Sequence, residues 1–133
     1  MQTTKSLEEF FTKTYASRQA ISAGFYERLF REIPEARGMF HGDITKQKLM
    51  FMMMMGTIAK SQAGVTDIEA LGARLQAVHA GHGVSHEHLL IGGEALKDAC
   101  EEVLEPITAE TERHSLYGII DQIVGAMTSE MVT

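Results

Sequence analysis

The 133 residues fit one domain, read here as residues 1–133, and leave no room for a second of ordinary size. A formal charge of −6 disfavours nucleic acid and anionic membrane as partners, because both reward basic patches. Cys100 is the only cysteine, so no internal disulfide can form, and the longest apolar run, residues 49–55, falls far short of the roughly 20 residues that span a bilayer.

The first nine residues are polar and acidic where a signal peptide would carry an apolar core, so the cytoplasm is the expected location. Only two prolines occur, and neither an Asn-Gly turn nor an alternating β-branched segment appears. Helical spacing takes their place. Leu7, Phe10, Phe11 and Tyr15 are expected to share one face of a first helix, and Ile21, Phe25, Leu29 and Ile33 recur at steps of four along a second. Pro34 should end that helix and can open a short following one, since its missing N–H is an orphan in any first turn.

Asp43 is a fair N-cap for a methionine-rich helix from about residue 46 to 59. Consecutive residues point around a helix, so Met52 to Met55 cannot all converge on a metal; they read as core filler. Thr66 or Asp67 should cap a further helix holding Leu71, Leu75 and Val78, broken by Gly81 and Gly83. Two longer helices are expected from about Ser85 to Leu104 and from Thr108 to Met131, separated by Pro106, the last with Leu116, Ile120, Ile123, Met127 and Met131 on one face. Helices of unequal length with short breaks suggest an all-α fold other than a simple bundle, although periodicity does not choose between the two.

Four of the six histidines, His79, His82, His86 and His88, fall within ten residues. Three readings stand side by side. The cluster is a solvated helix end, or a zinc or copper site built on imidazole, or one haem ligand with its surroundings. Against the metal-ion site, Glu87 is the one acidic residue at matching spacing, and Gly81 and Gly83 loosen the scaffold. In favour of haem, His79 follows Leu75 by four residues and Val78 by one, on an apolar helical face that could form a dry wall for a porphyrin. The second imidazole nitrogen then needs an acceptor, and on a helix that is a carbonyl one turn back, near Leu75.

The segment from His79 through Val84 to His88 resembles the proximal segment of bacterial single-domain globins and flavohaemoglobins, His-x-x-x-Gly-Val-x-x-x-His. The resemblance implies a globin fold with helices packed around haem b, His79 as the iron ligand, Val84 against the porphyrin and His88 near its edge. The stretch from Phe25 to Phe40 is similar to the second and third helices of that family. Its interval of fourteen residues between a distal tyrosine and a haem-stacking phenylalanine is met by Tyr26 and Phe40. Gln47, seven residues on, stands where a distal glutamine is frequent, and Phe51 where a bulky apolar residue leans over the iron. Tyr117 matches a tyrosine that the family places behind the proximal histidine. Two departures accompany it: Thr128 stands where a glutamate often completes that network, and Arg113 replaces a usual tryptophan. The expected haem-binding set is therefore Tyr26, Phe40, Gln47, Phe51, Leu75, Val78, His79, Val84 and His88, with His79 on the metal.

The resemblance implies reversible binding of oxygen, nitric oxide or carbon monoxide, as in oxygen transport by bacterial haemoglobins. It also admits nitric oxide dioxygenation with a separate reductase, since 133 residues hold no flavin or nicotinamide domain, and gas sensing through a partner. The partners it allows are the gas, that reductase and a second copy in a homodimer.

Overall fold

The computed structural model describes residues 4–39, 68–79 and 84–131. Helix α1 spans Thr4–Ala16 and α2 spans Arg18–Glu32; a 3₁₀ segment, Pro34–Met39, follows. Helix α3 spans Ile68–His79, α4 His86–Leu104 and α5 Glu110–Met131, with a 3₁₀ turn, Glu105–Ile107, between the last two. All regular structure among the described residues is helical. The expected helix over residues 46–59 lies outside them.

Local signals account for the helix ends. Pro34 stops α2, and the Ile33 N–H closes the last turn on Leu29 O at 2.8 Å. Ser85 caps α4 by accepting from the His88 N–H. In the first stripe Tyr15 departs from expectation, and the Leu7 side chain lies outside the described set. Phe10 is almost wholly buried, but Tyr15 is exposed, with the Arg18 guanidinium 3.9 Å from its ring centroid. Thr14 takes the inward place and satisfies its hydroxyl on Phe10 O at 2.8 Å, so a polar residue sits in the core without an orphaned group.

Helix α2 packs on α4, α4 on α5, and α5 on α3. Leu116, Ile120, Ile123 and Met127 form the buried stripe of α5 and join Phe10, Ile21, Leu104 and Cys100 in one core. Each of the leucine, isoleucine, methionine and phenylalanine side chains contributes about 1.5–3 kcal/mol when fully buried. Gly72 sets the approach of α3 to α5: a Cβ there would lie 2.4 Å from Ala126 Cβ and 3.3 Å from Ile123 O. Only a residue without a side chain lets these helices cross so closely. No helix among the described residues is long and apolar enough to cross a membrane.

Candidate functional site

His79 closes α3, seven residues after the Gly72 contact with α5. Its Nδ1 lies 2.6 Å from the Leu75 carbonyl oxygen. A carbonyl can only accept, so the proton is on Nδ1 and the neutral ring keeps a lone pair on Nε2. The i to i−4 geometry of the helix makes this bond, and the bond fixes both tautomer and ring orientation. Leu75 and Val84 are half-buried and pack against the core, one before and one after His79. Val78 belongs to α3, but its side chain lies outside the described set.

His88 occupies the third position of α4. Its Nδ1 accepts from the Ser85 N–H at 3.1 Å while Ser85 Oγ accepts from the His88 N–H at 3.1 Å, a reciprocal cap. Because Nδ1 accepts, the neutral ring carries its proton on Nε2, which faces Glu35 Oε1 at 3.5 Å. The two histidines thus hold opposite tautomers, and His88 ties the start of α4 to the 3₁₀ segment after α2. His86 is exposed on the same turn, and His82 lies outside the described residues. Among the described residues no three histidine, cysteine or acidic side chains gather in a way that could hold a metal ion.

Tyr26 comes from α2 and is 5% exposed. Its ring meets Phe25 edge-on at 5.0 Å and Phe30 at 5.8 Å. Burial pushes its phenol up to about 12, so the hydroxyl keeps its proton through the neutral range. Phe40, Gln47 and Phe51, the other expected distal residues, lie outside the described residues. Sequence reasoning passed over Ser22, one turn before Tyr26. It is 2% exposed, and its Oγ finds no hydrogen-bond partner among the described residues. The available signal was a small polar residue on the same face as Tyr26, at a step of four.

Tyr117 has its hydrogen-bond partner on the neighbouring helix. Its hydroxyl donates to Glu101 Oε1 at 2.6 Å, and Arg113 Nε donates to the same oxygen at 2.9 Å. Arg113 also reaches Thr108 O at 2.8 Å. Arg113 supplies the physical reason: its charge draws Glu101 in, and the carboxylate then offers Tyr117 an acceptor on the neighbouring helix. Burial, then the bond to Glu101, raises the Tyr117 phenol; the Tyr117 and Arg113 bonds hold Glu101 below the usual carboxylate range. The triad braces the corner between α4 and α5. Thr128 bonds Gly125 O at 3.0 Å within its own helix.

Comparison with protein-family models and with curated proteins gives no match. Among solved structures, the chain is similar to an engineered carbene transferase from Rhodothermus marinus whose parent is named as a nitric oxide dioxygenase. The identity is 24%, with 99% of this chain and 94% of that one covered at a TM-score of 0.75. A chain whose regular structure among the described residues is all helical, and which superimposes over nearly its whole length on that globin-type structure, has the globin fold.

Proposed function

We propose that this protein binds haem b through His79 and reversibly takes a diatomic gas at the iron. One observation carries the reading: His79 Nδ1 is bonded to Leu75 O at 2.6 Å, which leaves Nε2 as a lone-pair donor. The donor set fits haem. A half-buried neutral imidazole ends a helix anchored on α5, Leu75 and Val84 supply apolar surface beside it, and a buried tyrosine stands on α2. When bound, haem would supply a ferrous iron that accepts oxygen, nitric oxide or carbon monoxide. Oxygen transport and a homodimer belong to this proposal on the ground of the resemblance alone, and a cytoplasmic location on the lone Cys100, which suits a reducing compartment.

The protein's own residues set the affinity. Leu75 O is a neutral acceptor, so His79 acts as a neutral ligand and not as an imidazolate, which favours gas binding over peroxidase-like chemistry. Tyr26 keeps its hydroxyl proton and can donate it to a polar gas ligand in the pocket. Such a partly charge-assisted bond contributes about 1.5–3 kcal/mol, or about a ten- to hundredfold slower escape of oxygen. Phe40, Gln47, Phe51, Val78 and His88 complete the proposed haem environment. For His88 the structural role at the start of α4 already engages both ring nitrogens.

Titration of the purified protein with haemin, followed at the Soret band, tests the proposal. One equivalent should bind, and His79→Ala should lose the ferrous five-coordinate spectrum while leaving the far-ultraviolet helix signal intact. No Soret band, or an unchanged ferrous spectrum in His79→Ala, would overturn it.

The parent name of the similar structure, together with Tyr26, favours a second reading: nitric oxide dioxygenation with re-reduction by a separate reductase. Stopped-flow mixing of the oxygenated protein with nitric oxide should then give nitrate within one turnover. Sustained turnover should require the added reductase.

A further inference from the structure

Two aliphatic hydroxyls are buried among the described residues, those of Thr14 and Ser22. Thr14 bonds the carbonyl one turn back, at 2.8 Å. Ser22, 2% exposed, makes no such bond, and its Oγ has no partner among the described residues. A buried hydroxyl left in that state is destabilising, and native proteins commonly satisfy such groups with an ordered water.

The orientation of α2 shows where this hydroxyl belongs. The helix meets α4 through Gly24, where a Cβ would lie 3.5 Å from Ala99 Cβ, and through the ion pair of Arg28 with Glu102. At 100° per residue, Ser22 and Tyr26 each lie about 160° round from Gly24 and about 40° from one another. They share the buried face turned away from α4. Aromatic side chains on a helix lean back over the residue four positions earlier. Phe30 stands in that relation to Tyr26, with ring centroids 5.8 Å apart, and the same lean carries Tyr26 toward Ser22.

We propose that Ser22 is a positioning residue of the gas pocket: its hydroxyl holds a buried water that donates to the Tyr26 phenol oxygen and so strengthens Tyr26 as a donor. This rests on the gas-binding reading above. A neutral phenol accepts one hydrogen bond while donating another, and accepting polarises its O–H bond. Two hydroxyls four residues apart supply the polar partners that a buried water requires.

The test uses the haem-loaded protein, with oxygen and carbon monoxide as probes, in wild type, Ser22→Ala, Tyr26→Phe and the double variant. Alanine is a good helix former, so an unchanged helix signal and Soret amplitude are expected in Ser22→Ala. Ser22→Ala should speed oxygen release about two- to tenfold. It should also shift the infrared stretch of bound carbon monoxide. Neither change should occur when Tyr26 is already phenylalanine. A crystal structure should place a water within hydrogen-bond distance of Ser22 Oγ, absent from Ser22→Ala. Equal effects in both backgrounds, an unchanged rate, or no water at Ser22 would overturn this inference while a normal Soret band left the gas-binding reading standing. Loss of the Soret band in the wild type would remove both.

Discussion

Replacing Gly72 with alanine places a Cβ 2.4 Å from Ala126 Cβ, where carbon atoms need about 3.5–4.0 Å. To make room, α3 and α5 must part by about 1–1.5 Å, the difference between those distances. Overpacking of this kind costs about 1–3 kcal/mol. Alanine also returns about 0.5–1 kcal/mol as the better helix former, so the steric term needs a reference. Gly118 provides it. It is helical on α5 with nothing within 4 Å of an added Cβ, and Gly118→Ala should stabilise by that propensity gain alone. The gap between the two variants in urea-unfolding free energy should therefore be about 1–3 kcal/mol. Ala126→Gly, which itself costs about 0.5–1 kcal/mol in helix propensity, should cost less in the Gly72→Ala background than alone, because the next contacts, Ala126 C and Ile123 O, stand at 3.3 Å. The helix that moves carries His79, so haem transfer to an acceptor protein should also quicken in Gly72→Ala. Equal stabilities of Gly72→Ala and Gly118→Ala, or equal effects of Ala126→Gly with and without Gly72→Ala, would refute the close crossing.

Glu101 is held below its ordinary value of 4.5, first by Tyr117 and then by Arg113. A depressed carboxyl stabilises the fold above that value and ceases to do so as pH falls through the lower folded one, so the stability lead of wild type over Glu101→Gln should be present at pH 7 and vanish in acid unfolding. Ser85→Ala should cost about 1 kcal/mol in thermal or urea unfolding through loss of the α4 cap, while His88→Gln, which restores the usual capping-box residue, should cost less than His88→Leu. Cys100 is fully buried and its thiol is pushed up to about 12, so a thiol-specific reagent at pH 7–8 should label it only as fast as the protein unfolds, and promptly in denaturant.

Local rules made part of the molecule readable. Pro34 and Ser85 mark helix ends because a missing N–H and a capping hydroxyl act within a few residues. The acceptor behind His79 is readable for the same reason, since a carbonyl one turn back is built into the helix. Tyr15 turned outward and Thr14 inward because the rotation of a helix near its terminus, where adjacent residues stand about 100° apart, is not encoded in spacing, and a threonine can hide its hydroxyl on its own backbone. Tyr117 bonds Glu101, sixteen residues away on another helix, and an interval counted along one helix does not contain that partner. The same holds for Gly72, whose meaning depends on Ala126, and for Ser22, which reads as a surface serine until the helix is seen from its packed side. The globin fold, in contrast, followed from the histidine and tyrosine motifs taken together, and the long structural likeness agrees with it.

The central claim is that His79 holds iron through Nε2 while Nδ1 donates to Leu75 O. Resonance Raman spectroscopy of the ferrous, ligand-free protein tests it most directly. A single iron–histidine stretch in the range of a neutral imidazole is expected in wild type, lost in His79→Gly and regained at a shifted frequency when free imidazole is added. The same stretch persisting unchanged in His79→Gly would contradict the account.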